Sequence, residues 1–272
     1  SEESGVGVVG ILPDRDRDFG RVRLWGTIGW IAAGIAVGQW LYLQHTPADV
    51  SVEAIAAAQD AGRADAFRLS AVMGVIMGLY CFTLPNTPPS SDAQEKSATA
   101  EALGEIRRQP LLTLFLIALP VSCIHQFYFV YTSQFLSGYG TDAANSINKI
   151  LGVGGGGLMT IGQMSELVVL AMIPFVAKSL SRKSLLAIGL LAYAARMALF
   201  VYTDSLATVL LGVALHGVCF GCFIFVAFMV VDEETSADVR ASAQSLFNLV
   251  IVGIGVIVGS RKGDDPVLTI TF

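Results

Sequence analysis

About seven apolar stretches, each near the roughly 20 residues that a helix needs to cross a hydrocarbon core about 30 Å thick, alternate along this chain with short clusters of charge. A soluble domain of 272 residues does not segregate its charges in this way. Apolar residues make up 54% of the chain and charged ones only 14%, with a mean hydropathy of +0.64. That balance places the chain in a bilayer.

The stretches predict spans at Leu24 to Leu43, Leu69 to Leu84, Leu111 to Phe135, Leu158 to Ala177, Ser184 to Tyr202, Leu206 to Val231 and Ala241 to Val258. They are predicted as helices, because a strand in lipid needs a closed barrel and would alternate polar with apolar residues. The fold class expected is therefore all-α, a polytopic transmembrane helical bundle. Membrane lipid is its surrounding partner.

Lysine and arginine set the orientation. If the first span leaves the cytoplasm, the inner segments hold Arg15, Arg17, Arg21, Arg23, Lys96, Arg107, Arg108, Lys178, Arg182, Lys183 and Arg240, and the outer ones hold Arg63, Arg68, Lys149, Arg261 and Lys262. The excess lies inside, as the positive-inside rule requires. The basic residues flank spans and form no stripe, so the net charge of -5 gives no reason to expect a nucleic-acid partner.

From Asn86 to Gln109 the chain turns polar, with Thr87-Pro88-Pro89-Ser90-Ser91 followed by Asp92, Glu95, Lys96 and Glu101. Such a segment buries too little apolar surface to enter the bilayer. It is predicted as a cytoplasmic linker with a short surface helix near Glu101 to Arg108. The domain plan is then a cytoplasmic segment over 1–20, two helices closing one bundle over 21–85, the linker over 86–110, five helices of a second bundle over 111–260 and an unassigned tail over 261–272. The chain starts at Ser1, shows no signal-peptide pattern and has an odd span count, so it is expected to be an internal piece of a longer protein.

Glu166 sits near the middle of the fourth span, with the amide of Gln163 one turn before it. A charge at that depth costs several kcal/mol on common estimates, and chains that keep one usually place it on a substrate or ion path. Gln163 and Glu166 share a helix face, where an amide and a carboxylate together suit ribose hydroxyls. The alternative is a structural ion pair between Glu166 and Arg196, which counting along the helices allows. On the first span Arg23, Thr27 and Trp30 stand at i, i+4 and i+7, presenting a cation, a hydroxyl and an aromatic plane, or else a headgroup anchor and a packing ring. On the sixth span His216, Phe220 and Phe223 repeat that spacing, and an imidazole that titrates near neutral pH suits proton handling.

The segments Gly20-Arg21-Val22-Arg23-Leu24-Trp25-Gly26-Thr27-Ile28-Gly29-Trp30, Gly162-Gln163-Met164-Ser165-Glu166 and Leu215-His216-Gly217-Val218-Cys219-Phe220 resemble the nucleoside:proton symporters of the major facilitator superfamily. So does Val231-Asp232-Glu233 with Arg240-Ala241-Ser242-Ala243-Gln244. The resemblance implies a partial major facilitator fold, with these spans standing as helices five to eleven of twelve and alternating access as the transport mode. It implies a monomer in the bacterial inner membrane. A nucleoside substrate would be held by Arg23, Thr27, Trp30, Gln126, Gln163, Glu166, His216 and Phe220.

Two positions depart from the family pattern. Three residues after Gln126 the family carries Asn, where this chain has Phe129. The residue after the aromatic at Phe220 is often an Asp tied to proton coupling, and here it is Gly221. Glu166 and His216 are then the candidates for proton coupling. A carrier for another polar solute such as a sugar, or a membrane receptor without transport, would use the same residues.

Other signals carry less. Cys81, Cys123, Cys219 and Cys222 fall within spans, and the pair at 219 and 222 lacks further ligands or a strand context, so no metal is expected. The glycines at 152 and from 154 to 157 lack the Lys and Ser/Thr of a phosphate loop and are read as an outer connection. No nucleophile and base pair or cofactor fingerprint appears, so neither an enzyme nor a cofactor is expected. Pro120 is expected to bend the third span or to serve its packing.

Overall fold

The computed structural model describes residues 15–48, 50–84, 98–139, 142–153, 157–236 and 238–260. Among them there is no strand. The helices run in order as α1 (Arg15–His45), α2 (Val52–Cys81), α3 (Ala98–Ile106), α4 (Leu111–Ser137), α5 (Asp142–Leu151), a 3-10 turn (Gly157–Met159), α6 (Thr160–Val176), α7 (Arg182–Tyr202), α8 (Leu206–Ala214), α9 (His216–Val218), α10 (Val226–Glu234), α11 (Arg240–Asn248) and α12 (Gly255–Gly259). Two π-helical segments, Cys219–Phe225 and Leu249–Ile254, join α9 to α10 and α11 to α12. Seven helical runs among the described residues are long and apolar enough to cross a membrane.

The second span departs most from expectation. Sequence places it from Leu69, with an outer loop between His45 and Arg68; instead α2 starts at Val52, with Ser51 accepting a hydrogen bond from the Ala54 N–H as its N-cap. The charges that hid this first half of the helix are internally paired: Arg63 bonds Asp60 and Arg68 bonds Asp65, each three residues apart. Pairs at that spacing support a helix without adding hydropathy. Only α5 was missed outright, since Asp142–Leu151 is too short to cross and has one apolar face.

The chain divides into two compact units, Ser1–Asp92 with Gly140–Thr160, and Ala93–Tyr139 with Ile161–Phe272. In the first, α1 packs against α2 and α5. The Gln39 amide donates to the carbonyls of Lys149 and Ile150 at 2.8 and 2.7 Å, satisfying groups that the end of α5 leaves open. Val153 N–H donates to the Gly38 carbonyl at 3.1 Å. That approach needs Gly152, whose φ of +85° aims any added Cβ into the Gly38 backbone. Its partner α2 is apolar around most of its circumference and buries almost none of that surface.

The second unit holds the core. Leu114, Ala118 and Val121 of α4, Leu185 and Tyr193 of α7, Phe223 of the first π segment, Val226 and Val231 of α10, and Phe247 of α11 form one buried cluster. Phe247 takes the edges of Phe115 and Phe228, each at 5.0 Å between centroids. The linker helix expected near Glu101 to Arg108 forms as α3, which lies against α11. Expectations that fall on 1–14, 85–97, 154–156 and 261–272 lie outside the described residues.

Candidate functional site

Three spans of the second unit bring Glu166, Arg196 and His216 into the apolar interior. Counting about 1.5 Å per residue from the span ends at Gly157, Tyr202 and Leu206, Glu166 lies roughly 13 Å along its span, Arg196 roughly 9 Å and His216 roughly 15 Å. All three are buried, at 8%, 0% and 1% exposure. Solvating them takes contacts with one another, because the effective penalty per buried ion is several kcal/mol.

Those contacts form a line. Glu166 Oε2 stands 3.4 Å from His216 Nε2, within charge-pairing distance but without a hydrogen bond between them. On the other edge of the ring, Arg196 Nη1 is 3.2 Å from His216 Nδ1. The ion pair weighed from sequence between Glu166 and Arg196 is therefore joined through an imidazole that meets both.

Aromatic rings line this cluster. Tyr128 stacks on one side of His216 at 5.0 Å and 16°, and His125 stacks at 5.4 Å and 21°, while Phe129 meets it edge-on at 5.3 Å. The Arg196 guanidinium lies over the Tyr128 ring at 4.1 Å and near the Tyr193 ring at 5.0 Å. Desolvated cation-π contacts of this kind are worth about 2 kcal/mol. A hydrogen bond of 2.7 Å between the Tyr193 hydroxyl and His125 Nδ1 closes the circuit.

Glycine lets the helices come this near. A Cβ on Gly162 would sit 2.9 Å from the Val213 carbonyl oxygen, 3.0 Å from the Tyr128 hydroxyl and 3.1 Å from His216 Cβ. One turn on, the Ser165 hydroxyl donates to the Ala214 carbonyl, tying α6 to the sixth span just before His216. The π segment then begins at Cys219. Its wider turns, often found at functional sites, undo the spacing read from sequence: Phe220 stays 6.4 Å from His216, but Phe223 turns into the core against Tyr193.

The remaining candidates scatter more widely. Gln163 is buried at 6% exposure, and its Oε1 has no hydrogen-bond partner among the described residues. Gln126 is half-buried and donates to the Ser260 hydroxyl at 3.4 Å, so it faces the end of the last span. In the first unit Thr27 is buried at 4% while Trp30 is 63% exposed, so this face of α1 is not uniform in environment. The Arg23 side chain lies outside the described residues. Among the described residues no group of His, Cys, Asp and Glu is arranged to hold a metal ion.

Residues 8–269 match the family model described as Nucleoside H+ symporter. The chain belongs to that family. It is 31% identical to "Putative nucleoside transporter YegT" of Escherichia coli over 264 residues, covering 93% of this chain and 56% of YegT. It is 26% identical to the E. coli nucleoside permease NupG and 25% identical to the E. coli xanthosine permease, covering 89% of this chain and 55% of each. The crystal structure of the NupG D323A mutant superposes with a TM-score of 0.58 at 24% identity, over 90% of this chain and 58% of that one. The unmutated NupG structure gives a TM-score of 0.56. The fold is thus that of the NupG structures, and the chain spans a little over half the length of these relatives.

Within that family, and with its seven apolar helical runs among the described residues, this is a membrane protein. Arg196, His125, Tyr128 and Tyr193 escaped the list of site candidates drawn from sequence. The signal for Arg196 was present, since an arginine inside the apolar run from Ser184 to Tyr202 is as anomalous as Glu166.

Proposed function

We propose that the protein moves nucleosides across the bacterial inner membrane together with protons, by alternating access and as a monomer. The observation that carries this is the buried line of Glu166, His216 and Arg196 within a member of the nucleoside:proton symporter family. YegT and NupG are named for nucleosides, which supports the substrate class.

Gln163 supports the assignment in another way. Its buried Oε1, without a partner among the described residues, suits a donor such as a ribose hydroxyl, because an unpaired buried acceptor costs about 1 to 3 kcal/mol. Phe220, beside His216, supplies a ring on which a base stacks for roughly 1 to 3 kcal/mol. Substrate roles for Arg23, Thr27, Trp30 and Gln126 rest on the sequence resemblance.

Proton coupling falls to Glu166 and His216. Gly221 occupies the place of the acid common in the family, and a Cβ there would already stand 2.6 Å from Val169 Cγ1. The test is uptake of radiolabelled uridine and adenosine by cells expressing the full-length protein, with and without a proton uncoupler. Saturable uptake that the uncoupler abolishes is the expected result; no uptake above the empty-vector level refutes the proposal.

A further inference from the structure

We propose that Arg196 is a positioning residue that fixes His216 as its Nε2–H tautomer and so keeps the protonated edge of the ring on the side of Glu166. The transport consequence rests on the symport proposed above, but the tautomer itself does not. A guanidinium has five donors and no acceptor, so at 3.2 Å from Arg196 Nη1 the His216 Nδ1 must be the accepting nitrogen. In a neutral imidazole the proton is then on Nε2, the nitrogen facing Glu166 Oε2 at 3.4 Å.

The titratable and charged groups around His216 are Glu166 from α6, Arg196 and Tyr193 from α7, His125 and Tyr128 from α4, and Cys219 on the next turn of its own span. Of these, Arg196 and Glu166 meet the ring edge. The stacked partners hold the ring plane and leave its tautomer open. Arg196 is itself held by the Tyr128 and Tyr193 faces, which fix its position without using its N–H donors. Because a second proton at Nδ1 must displace the Arg196 contact, His216 stays a neutral ring with its Nε2–H edge beside Glu166, and the proton that is exchanged is the one on the Glu166 carboxyl.

Two measurements on the full-length protein in proteoliposomes test this. In nitrogen-15 spectra of histidine-labelled protein, identified through His216→Phe, the His216 resonances should show a bare Nδ1 and a protonated Nε2. Arg196→Met keeps the length and ring contacts but removes the donor. It should release the tautomer and cut proton-driven nucleoside accumulation about tenfold, as for loss of one charge-assisted hydrogen bond, while Arg196→Lys restores both. Nucleoside counterflow, which needs no net proton movement, should stay within about threefold, a tolerance set by the spread in single-contact energies.

A protonated Nδ1 in the wild type overturns the inference. So does Arg196→Met with the Nε2–H tautomer and pH profile unchanged, or with counterflow and driven uptake falling together. If the wild type moves no nucleoside, the symport reading falls alone, and the nitrogen spectra still decide the role of Arg196.

Discussion

His216 bridges two helices through opposite edges of its ring, with Nδ1 3.2 Å from Arg196 Nη1 and Nε2 3.4 Å from Glu166 Oε2. Removing the ring therefore strands a buried guanidinium. His216→Phe keeps the stacking with Tyr128 and His125 but leaves Arg196 Nη1 unpaired, beside Nε and Nη2 that already lack partners among the described residues. A destabilisation of about 1 to 3 kcal/mol is expected for that orphaned donor, read as a lower melting temperature in detergent. His216→Phe combined with Arg196→Met should recover most of the loss, since apolar replacement of both partners costs little.

Substitution at Gly162 should fail for a steric reason. Its missing Cβ would crowd the Val213 carbonyl, the Tyr128 hydroxyl and His216 Cβ at once, and two of these belong to the sixth span. Gly162→Val should cost about 1 to 3 kcal/mol of overpacking and push α6 away from His216. Thermal unfolding reads the first effect and loss of proton-driven uptake the second. Gly162→Ala, with a single added methyl, should be milder on both.

A pH-sensitive contact lies on the linker side of the second unit. The Ser236 hydroxyl and backbone N–H both donate to the Glu105 carboxylate, at 2.7 and 3.1 Å. The hydroxyl bond first, then the backbone bond, holds the Glu105 carboxyl below its ordinary value of 4.5, with Arg108 adding a smaller share against a minor desolvation cost. A carboxyl depressed by folding contributes stability that is present above its unfolded pKa and lost as pH falls through its lower folded pKa. Hydrogen exchange at the Ser236 amide should therefore show extra opening only in acid, below that ordinary carboxyl value, once intrinsic exchange rates are removed. In Ser236→Ala the Glu105 titration should move upward, visible by carbon-13 NMR of the labelled carboxyl.

Much of this architecture was legible in the sequence because hydropathy and helix length are local properties. The third to seventh spans end within a few residues of where their apolar runs end. The second span was misread because Asp60, Arg63, Asp65 and Arg68 lower the hydropathy of a helix that they stabilise by pairing with each other. The site was legible by residue but not by arrangement. Glu166 and Gln163 betrayed themselves as polar groups in an apolar run, whereas the ring of Arg196, Tyr193, His125 and His216 depends on three helices meeting. The π segment after Val218 also changes the face on which Phe223 sits, and no spacing rule based on regular α-helix reports that.

Tyr193 offers a graded check on the ring. Tyr193→Phe keeps the face that Arg196 lies near but removes the 2.7 Å hydrogen bond to His125. A loss of about 1 kcal/mol is expected, seen as a modest drop in melting temperature. Transport should be little altered, because His125 meets His216 through its face.

Proton movement tested at Glu166 bears most directly on the account. The full-length protein in proteoliposomes, given uridine without a pH gradient, should alkalinise the side from which uridine is taken up. Glu166→Gln keeps the shape but cannot exchange a proton at neutral pH, so it should lose that alkalinisation and gradient-driven accumulation by about a hundredfold, the low end of what a positioned acid-base group supplies. Alkalinisation by Glu166→Gln at the wild-type ratio of protons to uridine would contradict the central claim, and the buried pair with His216 would then be structural.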